Sequence, residues 1–121
     1  MIDHIGLRVT DLEKSRDFYA SALAPLGYAL MMEHEISGVG FGRDGKPSFW
    51  LKAGVPSGPI HLAFGCERNS VVEEFHKAAI IAGGTDNGSP GPRTEYHPTY
   101  YGAFVLDPDG NNIEAVCHFE Q

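Results

Sequence analysis

The chain repeats one structural plan twice, and that constrains its fold more than any single motif. Each half reads as a strand, a helix and then several short strands, the first over residues 1–54 and the second over residues 60–121. The first helix signal is Thr10-Asp11-Leu12-Glu13, a capping-box pattern. Leu12, Arg16, Tyr19 and Leu23 follow at helical spacing, Phe18 and Ala22 widen the stripe, and Pro25 and Gly27 mark the exit. The second helix is expected to open at Asn69-Ser70-Val71-Val72-Glu73, where Asn69 supplies a capping signal. It runs through Phe75, Ala79 and Ile80 and stops at Gly83-Gly84. Strand-like runs follow each helix: Tyr28–Glu33, Gly38–Gly42 and Ser48–Lys52 in the first half, Tyr100–Leu106 and Asn112–His118 in the second. Gly54–Pro59 reads as a linker, and Asp44-Gly45 and Asp109-Gly110 as matching hairpin turns. Residues 88–98, rich in glycine and proline, read as a loop. A chain of 121 residues suffices for one compact domain with a real core and hardly for two.

Three side chains stand out within this frame. Along the opening run Ile5, Leu7 and Val9 share one face, which leaves His4, Gly6 and Arg8 on the other. In the second half Ile60, Leu62 and Phe64 oppose His61 and Ala63, and Ile113, Ala115 and Cys117 oppose Glu114. His4, His61 and Glu114 thus lie opposite the faces expected to pack under helices. Two imidazoles and a carboxylate on three strands suit one divalent ion held with open coordination positions. The turn spacing also identifies the first-half counterpart of Glu114. Gly110 to Glu114 is four residues and so is Gly45 to Phe49, so that slot falls on Phe49, or on Trp50 after a slip of one. Neither binds a metal. His34, His76 and His118 show no such pattern and read as surface or partly buried.

Charge and composition exclude other classes. Nine Lys and Arg against sixteen Asp and Glu give a net charge of −7, so a basic nucleic-acid footprint is absent and binding to anionic membranes is disfavoured. No apolar run approaches the roughly 20 residues of a membrane span. Met1-Ile2-Asp3-His4 leads straight into a strand, which predicts no signal peptide and a cytoplasmic location. Cys66 and Cys117 fall on apolar faces and are expected to be buried reduced thiols.

The paired βαβββ plan, a histidine opening each half and the closing Asp107-Pro108-Asp109-Gly110-Asn111-Asn112-Ile113-Glu114 together resemble the vicinal oxygen chelate superfamily. That superfamily includes glyoxalase I, the bleomycin- and fosfomycin-resistance proteins and the extradiol dioxygenases. The resemblance spans nearly the whole chain. It implies an α+β fold of two βαβββ modules whose curled mixed sheets surround a central metal cavity, with helices outside. It maps the metal ligands onto His4, His61 and Glu114, holding Fe²⁺, Mn²⁺, Zn²⁺ or a similar ion. It puts Phe49 or its neighbour at the fourth ligand position, a carboxylate in glyoxalase I. His97-Pro98-Thr99-Tyr100-Tyr101-Gly102-Ala103-Phe104, followed by Glu114, partly resembles the extradiol dioxygenase signature, with His97 at its non-ligand catalytic histidine. Phe104 stands where that signature has tyrosine, so Tyr100 or Tyr101 is left to supply the hydroxyl.

The expectation is a metal-dependent enzyme for a small substrate with neighbouring oxygens. His97 and Tyr101 are the catalytic candidates, and Arg8, Phe49, Trp50 and Tyr100 the substrate-contacting ones. His97 inclines the reading toward dioxygenation; glyoxalase-type isomerisation, lyase chemistry and thiol transfer share the ligand set. The competing class is a metal-free ligand-binding module like the bleomycin-resistance branch. A homodimer is expected, because single-unit members of the resembled family commonly pair and the second-half strands need cover at their edges. Whether one cavity draws its modules from one chain or two stays open.

Overall fold

The computed structural model describes residues 1–121. The first half forms β1 (Ile5–Val9), α1 (Leu12–Ala22), a 3₁₀ turn (Ala24–Leu26), β2 (Ala29–His34), β3 (Gly38–Arg43) and β4 (Lys46–Ala53). The second forms β5 (His61–Cys66), α2 (Asn69–Ile81), β6 (Thr85–Pro92), β7 (Tyr101–Leu106) and β8 (Asn112–Cys117). The strands make two four-stranded sheets, ordered β1-β4-β3-β2 and β5-β8-β7-β6. In each, the first strand runs parallel to the last and the other pairs are antiparallel. The fold is therefore α+β, two βαβββ modules with mixed sheets.

Alternation along the strands decides what packs. Val9, Phe41, Phe49 and Leu51 of the first sheet and Phe64, Ala103, Val105, Ile113 and Ala115 of the second are buried on the helix side. Phe18, Tyr19 and Ala22 of α1 and Val72, Phe75 and Ala79 of α2 fill the space over them. All belong to one continuous cluster of 19 buried residues, so the two modules share a core. The rings of Phe49 and Phe64, one from each sheet, meet edge to face at 5.6 Å. The candidate ligand faces consequently point away from this core.

Local signals were partly displaced by tertiary ones. Asp11, not Thr10, caps α1 and accepts from the Lys14 amide. Asn69 does not cap α2; its own amide is satisfied by the side chain of Gln121. Asp44 and Gly45 make a two-residue turn with positive φ at both positions, 56° and 76°. Asp109-Gly110 is not its match. Five residues, 107–111, separate β7 from β8, wrapped around the side chain of Asp107. The first five residues of the proline- and glycine-rich segment expected as a loop, 88–92, belong instead to the edge strand β6; 93–98 are turns. An edge strand tolerates proline because its outer N–H groups need no partner, and its pairing with β7 is interrupted by register shifts.

Asp107 also joins the modules. It is buried and accepts hydrogen bonds from the Asp109 and Asn111 amides, the Asn111 side chain and the Tyr19 hydroxyl of α1. Burial, and then the neighbouring carboxylate, push the Tyr19 hydroxyl well above the usual tyrosine range. A tyrosine whose folded pKa is raised contributes its full stability below about pH 10 and loses it as pH climbs toward the folded value. Tyr19→Phe is accordingly expected to cost about 1–2 kcal/mol at neutral pH. It should also show a smaller further loss than the wild type when urea unfolding is repeated above about pH 10. Equal alkaline losses in the two proteins would argue against this role for Tyr19.

Candidate metal centre

The strand registers align the two halves residue by residue. In the first sheet Gly6, two residues after His4, sits beside Trp50; in the second Ala63, two residues after His61, sits beside Glu114. Trp50 is thus the counterpart of Glu114. The one-residue offset from Phe49 arises from an irregularity in the β3–β4 pairing, where the register shifts between Phe41 and Gly42. Phe49 does not line a site; it is buried against Tyr19, Phe41 and Phe64.

On the second sheet, β5 and β8 bring His61 and Glu114 together. His61 Nε2 lies 3.0 Å from Glu114 Oε1, and His61 Nδ1 lies 3.0 Å from the Asn112 carbonyl. A carbonyl only accepts, so Nδ1 carries a proton, and Nε2 faces the carboxylate. Two electron-rich groups face each other there, and a proton or a cation between them resolves the conflict. Two donors about 2.1 Å from one ion and at right angles stand about 3.0 Å apart, so the pair has the spacing of adjacent ligands. A ligating histidine ordinarily donates its other N–H to such a carbonyl.

Glu114 is 1% exposed. Its second carboxylate oxygen accepts from the Tyr100 hydroxyl. Gly102 on β7 makes room for both, since a β-carbon there would come within 3.1 Å of the carboxylate and of the Tyr100 ring. Burial, followed by the bond to Glu114, raises the Tyr100 pKa strongly, so the hydroxyl stays a donor at any ordinary pH. Tyr101 points the other way. It packs against the helix-side core, burial raises its pKa, and the nearest carboxylate acting on it is Glu73 of α2. The hydroxyl partnering Glu114 is therefore that of Tyr100, and Tyr101 is removed from the site by strand alternation.

His97 lies in the turn before β7. Its Nδ1 accepts from the Thr99 amide and faces the Thr99 hydroxyl, and its ring is 5.9 Å from that of His118. His118 in turn stands edge-on to Tyr100 at 5.0 Å. His97 makes no hydrogen bond to His61 or Glu114.

His4 sits on the other module. Its Nδ1 is 2.7 Å from Asp3, a carboxylate that also takes Lys46 at 3.0 Å, and His4 and Lys46 hold Asp3 below the usual carboxylate range. As at His61, Nδ1 is the tethered nitrogen, and the Nε2 of His4 has no hydrogen-bond partner. His4 opens onto a surface cavity of about 640 Å³ lined by first-module residues alone, among them Arg8, Lys46, Trp50 and Lys52. No three metal-ligating side chains meet within one chain. Of the expected triad, the single chain assembles His61 with Glu114 and leaves His4 on a separate face. The motif reading missed Asp3, Lys46 and Lys52. Lys52 was legible, being two residues beyond Trp50 and hence on its face.

Known proteins bear on this arrangement. A glyoxalase/bleomycin resistance protein from Albidiferax ferrireducens is 29% identical, with a TM-score of 0.83 over 95% of this chain and 97% of that one. A glyoxalase/bleomycin resistance protein/dioxygenase family enzyme from Burkholderia phytofirmans shares the fold at 20% identity, TM-score 0.76, over 98% of both chains. A mutant glyoxalase I from Zea mays is 25% identical with a TM-score of 0.69; the match covers 95% of this chain and 46% of that one. No curated protein matches. The model of one family spans residues 1–115, both modules and all three candidate ligands, and the chain belongs to that family, the Glyoxalase/Bleomycin resistance protein/Dioxygenase superfamily.

Proposed function

We propose that this protein is a divalent-metal-dependent enzyme acting on a small substrate with neighbouring oxygens, and that its site is completed by a second copy of the chain. The observation that carries the reading is the His61–Glu114 pair, 3.0 Å apart, with the histidine tethered through Nδ1 so that Nε2 faces the carboxylate. His4, tethered in the same sense by Asp3, is the third ligand. His4 directly precedes β1 and His61 begins β5, and both are edge strands with the outer side unpaired. Docking β1 of one copy beside β5 of another covers two exposed edges and brings His4 to the partner's half-site. A bound ion would act as a Lewis acid on the substrate oxygens.

The remaining roles belong to this chain's own residues. Tyr100 fixes the Glu114 carboxylate, Asn112 fixes the His61 ring, and Trp50, where a fourth ligand would stand, keeps coordination positions open for substrate. His97 bonds to Thr99 and makes no hydrogen bond to Glu114, so the assignment stops short of ring-opening dioxygenation.

Mixing variants tests it. His4→Ala and Glu114→Gln are each expected to bind no stoichiometric metal as homodimers. Refolded together, they should recover one intact site in every mixed dimer, because one interface then combines His4 with an unaltered His61 and Glu114. Metal content measured by atomic emission reports this directly. No recovery on mixing argues for a site within one chain. Full metal content in both single variants argues for no site at these residues, and for the metal-free binding class.

A further inference from the structure

From the first-module cavity we infer that the substrate is an anionic, planar small molecule, its acidic group held by Arg8 and Lys52 and its ring laid on Trp50. This deepens the proposed function and rests on it for the identity of the site. Arg8 and Lys52 are register partners on β1 and β4. Neighbouring strands are about 4.8 Å apart, so two like charges stand side by side, an arrangement that destabilises a sheet. Neither is neutralised. Three of the nine cations are ion-paired, Arg16 with Asp17 and Glu33, Arg43 with Asp44 and Lys46 with Asp3; of the other six, Arg8 and Lys52 are the two that stand as register partners and line this cavity. In a chain with sixteen acidic residues against nine basic ones, an adjacent cation pair with no carboxylate partner lacks the cheapest compensation available to it. An anion between the two supplies that compensation, with charge-assisted bonds to both.

Trp50 provides the second element. A β-carbon at Gly40 would lie 3.0, 3.0 and 3.1 Å from three consecutive atoms of the indole benzo ring. Nearly equal distances to consecutive ring atoms mean that the ring lies face-on over Gly40. Its inner face is spent on the β3 backbone, and its outer face opens into the same cavity as Arg8, Lys52 and His4. The stem of Arg8 rests over Gly54, which fixes its direction; a β-carbon there would meet Arg8 Cδ at 3.2 Å. A flat hydrophobic platform beside two unpaired cations selects an aromatic or otherwise planar acid over a neutral or cationic molecule.

Trp50 is the single tryptophan of the chain, so its fluorescence reports on this cavity alone. The probes are benzoate, phenyl phosphate and the neutral benzamide, titrated into the full chain as purified, with calorimetry alongside. Both anions should quench Trp50 and bind about tenfold or more tightly than benzamide, weakening as salt is raised. The better of the two names the acidic group, carboxylate or phosphate. In the double variant Arg8→Gln, Lys52→Gln that preference should vanish while benzamide affinity stays put. Both side chains are exposed, and removing a like-charge pair should leave the melting temperature unchanged or slightly raised.

Equal binding of anions and benzamide by the wild type would overturn the inference, as would no quenching by either anion at millimolar concentration. So would loss of the dimer in the double variant, which would make the two cations interface residues. Metal content measured on the same samples separates the two readings. Metal present without anion preference sinks the anion site alone; anion preference without metal sinks the metal centre alone.

Discussion

Asp107→Ala is expected to lose on the order of 3–5 kcal/mol of stability, the largest effect of any single substitution outside the ligands. The side chain is buried and accepts four hydrogen bonds, two from backbone amides, one from Asn111 and one from Tyr19. Alanine leaves those donors facing a void that water fills poorly. For a chain of this size such a loss lowers the melting temperature by roughly 10–20 °C. The damage should extend to the site. The Asn111 side chain accepts from the Ile60 amide, and the Asn112 amide donates to the Ile60 carbonyl, so this loop sets where His61 and Glu114 stand relative to each other. Asp107→Asn keeps an acceptor and should lose less. Equilibrium urea unfolding of both variants checks the ranking. An alanine variant within about 1 kcal/mol of wild type would mean the four bonds are replaced by water.

Glu114→Gln is expected to lower metal affinity by at least about a hundredfold while leaving the metal-free protein folded. Losing a hydrogen-bond partner of a ligand typically costs about 10–100-fold, and this change removes the charged ligand itself. Glutamine has the same shape. Its amide oxygen accepts from Tyr100 and its NH₂ donates to the Nε2 lone pair of His61, so the buried contacts survive. Tyr100→Phe, which removes only the tether on the carboxylate, belongs in the 10–100-fold range. Competitive titration of Zn²⁺ or Mn²⁺ against a chelating dye measures both. Unaltered affinity in Glu114→Gln would remove Glu114 from the ligand set. A Tyr100→Phe loss exceeding that of Glu114→Gln would mean the tyrosine, not the carboxylate, dominates the site.

Much of this was legible in the chain. The repeat gave both helices and seven of the eight strands to within a few residues, because amphipathic periodicity is a local property of the sequence. The eighth, β6, was hidden by Pro90, Gly91 and Pro92, since only its position at the sheet edge makes those residues acceptable. The same alternation put His4, His61 and Glu114 on the faces turned away from the helices, and the β5–β8 register then brought His61 to Glu114.

Tertiary structure decided what pattern alone leaves open. Turn spacing does not register a bulge, and the β3–β4 irregularity moved the fourth-ligand slot from Phe49 to Trp50. Adjacent tyrosines are equivalent until a strand's phase is fixed; pairing with β8 sent Tyr100 to Glu114 and Tyr101 to the core. How the modules meet was open as well, because each has two faces and the sequence marks both as useful. Burying the apolar faces around α1 and α2 in one core turned the polar faces outward. The sequence by itself determined which residues lie on the polar faces of the strands, through local alternation. Only packing decided that His61 and Glu114 meet while His4 stands on the other module, because the sharing of a core between modules is a long-range choice that no local spacing encodes.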